Sequence, residues 1–387
     1  MVKQLIVHLG DCKTGTTALQ SCLASGGYTL PRGRICYPTQ HNHNLLALPL
    51  STLAEAPRHV PYRKARWAQV AAALEASDAD WGVISAELFE FVPPAALRAV
   101  LDDVLPGYRG RTRLVAYVRP HHARIVSGYA EALKKTGAPA TLNSYANSIQ
   151  RRGAMYHPRF SAWQAVFGAD LTVRPMIRDR LVQGDVVADF LAFVSGDQDV
   201  TVAETPRDNS ALSLPELAMM REVHARLGTA RKGRGDAARL ACRQLGWQLA
   251  PLLAAHRPEP GPKLGMHLTR ARLVRDSFAG DAAAMDADFF DGTPFTDALN
   301  AATDTFGRPQ SLNVEDYYDA GQIAMIRAWA DFTRRLIDAD PRHFFRAAMA
   351  EHERGDLPGA VAAADRTMLG QFDSLRHRLG RLLTRGR

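Results

Sequence analysis

Near its start the chain runs through the apolar stretch Leu5-Ile6-Val7-His8-Leu9 and breaks directly into Gly10-Asp11-Cys12-Lys13-Thr14-Gly15-Thr16-Thr17-Ala18-Leu19-Gln20. A buried strand, a glycine-bearing turn and a helical pattern in immediate succession leave few folds open. The turn must bring the amino end of a helix against the end of a strand. It also has the make-up of an anion-binding loop. Gly10 and Gly15 let the backbone close tightly, and the helix offers unpaired N–H groups and the positive end of its dipole. Lys13 adds a point charge, and Thr16 and Thr17 add hydroxyl donors. The pattern is not a Walker A loop, which places Gly-Lys-Ser/Thr after four spacer residues. Here the lysine precedes the second glycine by two positions.

A second segment, Arg113-Leu114-Val115-Ala116-Tyr117-Val118-Arg119, reads as a buried strand ending in a cation. The following Pro120 suits a first helical turn, where its missing N–H costs nothing, and Ser127 stands eight residues after Arg119.

These two segments, in this order, resemble the sulfotransferases that use 3′-phosphoadenosine 5′-phosphosulfate. The likeness is closest to the bacterial form, whose loop reads roughly H-x-G-x-x-K-T-G-T-T-x-L-Q. The resemblance implies that Lys13, Thr14, Gly15, Thr16 and Thr17 hold the 5′-phosphosulfate, with Lys13 also stabilising the leaving oxygen. It implies that Arg119 and Ser127 hold the 3′-phosphate. The donor co-substrate would be 3′-phosphoadenosine 5′-phosphosulfate, used without a metal. The acceptor would bear a hydroxyl or an amine, carbohydrates included, and nucleic acid is not among the implied partners. The likeness is strongest over the first half of the chain and fades through 167–171, 184–191 and 209–213.

Sulfuryl transfer needs a general base for the acceptor proton. Glu87, just past the apolar run Val83-Ile84, falls where a strand should open into the cleft; its rival role is to begin the next helix as a cap or solvated carboxylate. Some glycan sulfotransferases use a glutamate, whereas cytosolic ones carry a histidine after the comparable strand. His41 and His43, in a polar loop, are the rival bases, and Arg124 is a further cation beside Ser127. Arg231-Lys232-Gly233-Arg234-Gly235-Asp236 resembles a 3′-phosphate element of cytosolic sulfotransferases. It lacks that element's tryptophan-lysine continuation and is read here as a basic turn between helices.

Strand-like runs at 4–9, 81–85, 113–118 and 170–175 alternate with helical patterns at 14–25, 62–76, 94–104, 120–135 and 185–195. This predicts an α/β fold, a P-loop-type, mostly parallel sheet with helices on both faces, over residues 1–205. Its ligand belongs at the carboxyl ends of the strands, near Lys13, Glu87 and Arg119. Residues 206–387 read as a mainly helical region, with helices at 214–228, 236–256, 269–279, 316–337, 341–353 and 358–369. The motif 354–359 looks like a turn between two of these. The tail 375–387 interleaves leucines and arginines, as a frayed terminus or a membrane-surface helix does.

The formal charge of +8 and pI near 9.5 suit an anionic ligand without choosing one. Cys12, Cys22, Cys36 and Cys242 form no C-x-x-C pair and no zinc spacing, which predicts a reduced, cytoplasmic protein with no metal site. Cys12 reads as a small spacer within the loop. No apolar run approaches membrane-spanning length and no signal peptide precedes the first strand, so stable membrane insertion is not expected. Two other classes stay open: a P-loop kinase or NTPase, and a nucleotide-binding scaffold without catalysis.

Overall fold

The computed structural model describes residues 1–39, 41–52, 60–137, 141–151, 155–203, 211–229, 231, 233, 235–257, 259–304 and 309–348. The expected turn at 354–359, the helix at 358–369 and the tail lie outside the described residues, as do 209–210 and parts of the 231–236 element. The chain forms two compact units that alternate along the sequence. The first takes 1–120, 155–207 and 278–299; the second takes 121–154, 208–277 and 300–387.

The first unit begins with β1 (Gln4–His8), α1 (Thr16–Ser25), β2 (Tyr28–Thr29), β3 (Ile35–Cys36), α2 (Asn44–Ala47) and α3 (Val60–Ala76). It continues with β4 (Trp81–Ser85), α4 (Pro94–Val104) and β5 (Thr112–Val118). The second unit opens with α5 (His121–Thr136) and α6 (Leu142–Arg151). The first unit resumes with α7 (His157–Phe167), β6 (Leu171–Pro175), α8 (Val186–Ser195) and β7 (Thr201–Val202).

Five strands make a parallel sheet in the order β3-β4-β1-β5-β6, and β2 pairs antiparallel with β7. At the centre Val7 lies opposite Ile84 on one side and Leu114 on the other. Ile6, Val83 and Val115 share a core with Leu19 and Leu23 of α1 and Phe190 and Leu191 of α8. On the opposite pleat Gly82 lets α3 approach: a Cβ there would sit 2.4 Å from Leu74 Cδ2. Both faces are covered, which is why these strands read as unbroken apolar runs rather than alternating ones. The parallel α/β architecture is the one the sequence predicts. The pairs β2/β7 and the edge strand β3 went unpredicted, since two-residue strands carry no periodicity.

After β1 the chain builds outward to β3 and β4, then crosses to β5 and β6 on the other side. Such a reversal opens a crevice at the carboxyl ends of the strands. The segment Gly10–Gly15 begins there.

The second unit adds α9 (Leu214–Leu227), α10 (Asp236–His256), α11 (Leu268–Phe289), α12 (Pro294–Ala301), α13 (Ala320–Ala339) and α14 (Pro341–Ala348), except that 278–299 count with the first unit. Its apolar clusters join Tyr129, Leu133, Leu217 and Met220, and separately Val223, Leu227, Cys242 and Ile337. Gly246 lets α10 close on α5, since a Cβ would meet the Lys134 carbonyl at 2.0 Å. No helix among the described residues is long and apolar enough to cross a membrane.

Candidate active site

The loop between β1 and α1 is pinned to the sheet at both sides. The Asp11 amide donates to the Tyr117 carbonyl at 3.0 Å, and the Tyr117 amide donates to the Gly10 carbonyl at 2.7 Å, extending the β1–β5 pairing past the strand end. Gly10 has φ +89 and packs on the Glu87 backbone, where a Cβ would lie 3.0 Å from the Glu87 Cα. Lys13 has φ +69, in the left-handed region that non-glycine residues rarely adopt and that tends to mark functional sites. Thr14 Oγ1 donates to the Asp11 carbonyl at 2.6 Å, closing the turn on itself.

Gly15 is the amino cap of α1 at φ +82, with no side-chain cap and no acidic residue in the first helical turn. The orphan N–H groups of that turn and its dipole therefore meet no anion supplied by the helix itself. Thr16 is buried and Thr17 exposed. Gly15 also touches α8, because a Cβ would fall 2.6 Å from Val186 Cγ1.

Glu87 begins a 3-10 turn, Glu87–Phe91, directly after β4. Its Oε2 lies 3.4 Å from Thr16 Oγ1, so the carboxylate stands at the mouth of the loop. Glu90, three residues on, accepts the Cys12 amide at 3.1 Å, and Cys12 Sγ lies 3.7 Å from the Glu87 carbonyl. Lys13, Thr14, Gly15, Thr16, Thr17 and Glu87 are thus one cluster.

His43 is placed differently from a base. Its amide donates to the Ser85 carbonyl at 2.9 Å and its Nδ1 accepts the Ser85 amide at 3.1 Å. With Nδ1 occupied, Nε2 carries the ring proton and can only donate; it has no hydrogen-bond partner among the described residues. Burial holds the ring neutral, pushing its pKa down to about 3. His8 is in the same state, lowered to about 3 by burial, with Nδ1 2.8 Å from Ser85 Oγ. Gln20 Nε2 donates to that hydroxyl at 3.1 Å. His8, Gln20, Ser85 and His43 form a buried polar seam beneath the cluster. His41 offers its carbonyl to the Tyr37 hydroxyl at 2.9 Å.

Arg119 stands one residue past β5. Its carbonyl accepts the Tyr156 hydroxyl at 2.9 Å, and its Nη2 lies 3.6 Å from Met176 Sδ. The methyl of Met176 is 3.5 Å from where a Gly15 Cβ would be, so one thioether spans from the arginine head to the loop. Burial lowers the pKa of Arg119, and no carboxylate pairs with it among the described residues. Ser127 lies on α5, in the other unit.

Three supports were not foreseen. Buried Asp11 receives both guanidinium nitrogens of Arg159 on α7, at 2.7 and 2.5 Å. Asp281 accepts the amides of Tyr156 and His157 at 2.8 and 2.9 Å and so caps α7. Asp189, wholly buried, takes the Tyr117 hydroxyl at 2.6 Å and Arg174 at 2.5 and 2.7 Å, bracing β5 and β6 behind the loop. Glu90, also unforeseen, had a readable signal in its Glu-x-x-Glu spacing from Glu87; the three supports had none. The other pairs join residues too far apart in sequence to show a pattern.

No family model matches the chain, and neither a curated protein nor a solved structure matches it.

Proposed function

We propose that the chain is a sulfotransferase that moves the sulfuryl group of 3′-phosphoadenosine 5′-phosphosulfate to a hydroxyl or amine. The observation that carries this reading is Arg119: a desolvated cation with no carboxylate partner among the described residues, joined through Met176 to an uncapped, glycine-lined loop. Desolvating a cation without an anionic partner is unfavourable, so such a group is built to receive an anion. The loop supplies a place for one phosphate and Arg119 for another. A nucleotide phosphorylated at two ends of its ribose satisfies both. Ser127 enters through its eight-residue spacing from Arg119 in the sequence alone.

In the reaction the acceptor oxygen attacks sulfur and the bond from sulfur to the phosphate oxygen breaks. The products are a sulfate ester and adenosine 3′,5′-bisphosphate. Lys13 and the loop amides offset charge growing on the leaving oxygen, and Glu87 takes the acceptor proton. His43 has no lone pair left for that task.

The contact between Thr16 and Glu87 favours a second reading, because a hydroxyl and a carboxylate so placed also suit a magnesium ion beside a triphosphate. A thermal-shift comparison separates them. Stabilisation by adenosine 3′,5′-bisphosphate without metal supports the sulfotransferase, and stabilisation by ATP with magnesium alone overturns it. Transfer of labelled sulfate to a pool of hydroxyl acceptors then tests catalysis against a binding scaffold.

A further inference from the structure

Two residues at one end of α7 reach separate parts of the candidate site. Arg159 sends both guanidinium nitrogens to Asp11, in the loop after β1, at 2.7 and 2.5 Å. Three residues earlier, the Tyr156 hydroxyl donates to the Arg119 carbonyl at 2.9 Å. These bonds act where the sheet gives out. The β1–β5 pairing extends to the bond from the Asp11 amide to the Tyr117 carbonyl, and the β5–β6 pairing to the bond from the Met176 amide to the Val118 carbonyl. Arg119 and residues 12–15 lie past those bonds.

The turn that carries both contacts is itself fixed. Asp281, on the part of α11 that belongs to the first unit, accepts the amides of Tyr156 and His157 at 2.8 and 2.9 Å. A carboxylate there satisfies two orphan donors of the helix and faces the positive end of its dipole. Buried Tyr156 packs edge-on against Phe295, with ring centroids 5.9 Å apart. Arg159 lies over the ring of Phe160, which meets Phe289 in turn.

A ligand gripped at two ends gains from both only when their spacing is held in advance; otherwise ordering the two grips cancels the advantage. We propose that the first turn of α7, set by Asp281, is a yoke that fixes the separation between the Gly10–Gly15 loop and Arg119. The yoke selects a nucleotide with two phosphates over one with a single phosphate. Asp281 and Tyr156 are positioning residues in this role, which rests on the nucleotide reading proposed above.

Calorimetric titration of the full chain with adenosine 3′,5′-bisphosphate, and separately with adenosine 5′-monophosphate, tests it. The monophosphate engages the loop alone, so the preference for the bisphosphate, as a ratio of dissociation constants, reports the spacing. Tyr156→Phe keeps the ring against Phe295 and removes the bond to Arg119. The preference should fall about three- to tenfold, the worth of one hydrogen bond. Asp281→Ala frees the turn and should lower the preference at least as much. Asp281→Asn, which keeps one acceptor oxygen, should lie between Asp281→Ala and the parent. A merely structural Asp281 would lower the melting temperature and leave the preference untouched. An unchanged preference in Tyr156→Phe, or in folded Asp281→Ala, overturns the yoke alone, and Tyr156→Phe decides where Asp281→Ala does not fold. A parent that binds neither nucleotide, or binds the bisphosphate no more tightly than the monophosphate, overturns the sulfotransferase reading and the yoke with it.

Discussion

The guanidinium of Arg119 rests against Met176, Nη2 to sulfur 3.6 Å, on the strand end beside its own. A thioether is a weak acceptor and neutralises nothing. The charge is desolvated without an ionic partner among the described residues, and two signed consequences follow from that. Arg119→Met should leave the ligand-free protein as stable as the parent or more so, because an unpaired cation disappears from a partly buried place. It should also weaken adenosine 3′,5′-bisphosphate binding by about ten- to hundredfold, the loss of charge-assisted bonds worth roughly 1.5–3 kcal/mol. Calorimetric titration and a denaturant melt check both. A large loss of stability with unchanged binding would mean that Arg119 is structural.

Gly15 is the tightest point of the loop. Gly15→Ala must place a methyl 2.6 Å from Val186 Cγ1 at a backbone angle of φ +82. Destabilisation of about 1–3 kcal/mol is expected, from overpacking and left-handed strain together. Adding Val186→Ala should recover the packing part only, so the double variant lands between the parent and the single one in a urea titration.

Asp11 and Arg159 hold the loop to α7 through two parallel bonds. Arg159→Met leaves a buried carboxylate behind and should cost about 3–5 kcal/mol. Asp11→Asn combined with Arg159→Met removes both charges and should recover much of that loss. A cost of the double variant equal to the sum of the two single-variant costs would show that the pair is not coupled.

Glu87→Gln keeps the shape beside Thr16 but removes the proton acceptor. Sulfate transfer is expected to fall by about 10²–10⁴-fold. Adenosine 3′,5′-bisphosphate affinity should change little. Retained turnover would exclude Glu87 as the base.

His8 and His43 are buried neutral, with pKa values lowered to about 3 from 6.5 by burial. The unfolded chain binds protons there that the folded chain refuses. Their contribution is complete above about pH 6.5 and is lost as pH falls from there toward 3, by at most about 1.4 kcal/mol per pH unit for each ring. His43→Asn keeps an acceptor for the Ser85 amide and cannot titrate. Its stability should therefore fall less steeply between pH 6 and pH 4 than that of the parent, measured by denaturant midpoints.

The fold class was legible because both sheet faces are covered. Continuous apolar runs such as Leu5–Leu9 and Leu114–Val118 can only be buried strands when bounded by turns, and the alternation with helices makes them parallel. The loop after β1 was legible because its demands are local: glycine at Gly10 and Gly15, where φ is positive, and a helix start with no acidic cap. Lys13, Thr14, Gly15, Thr16 and Thr17 sit within one turn of chain, and spacing alone unites them.

What the tertiary structure decided is every relationship between distant segments. The two histidine candidates looked alike in sequence, but His43 is spent as an acceptor for the Ser85 backbone, a role that depends on β4 lying beside it. Glu87 meets Thr16 because β4 ends next to β1. Arg159, remote in sequence, neutralises Asp11, and Met176 connects Arg119 to Gly15. Hydrogen bonds and ion pairs act over a few ångström, while the strand order sets which distant residues come that close. Local conformational preference is written residue by residue, and the partners of a buried charge are set only when the chain has closed around it.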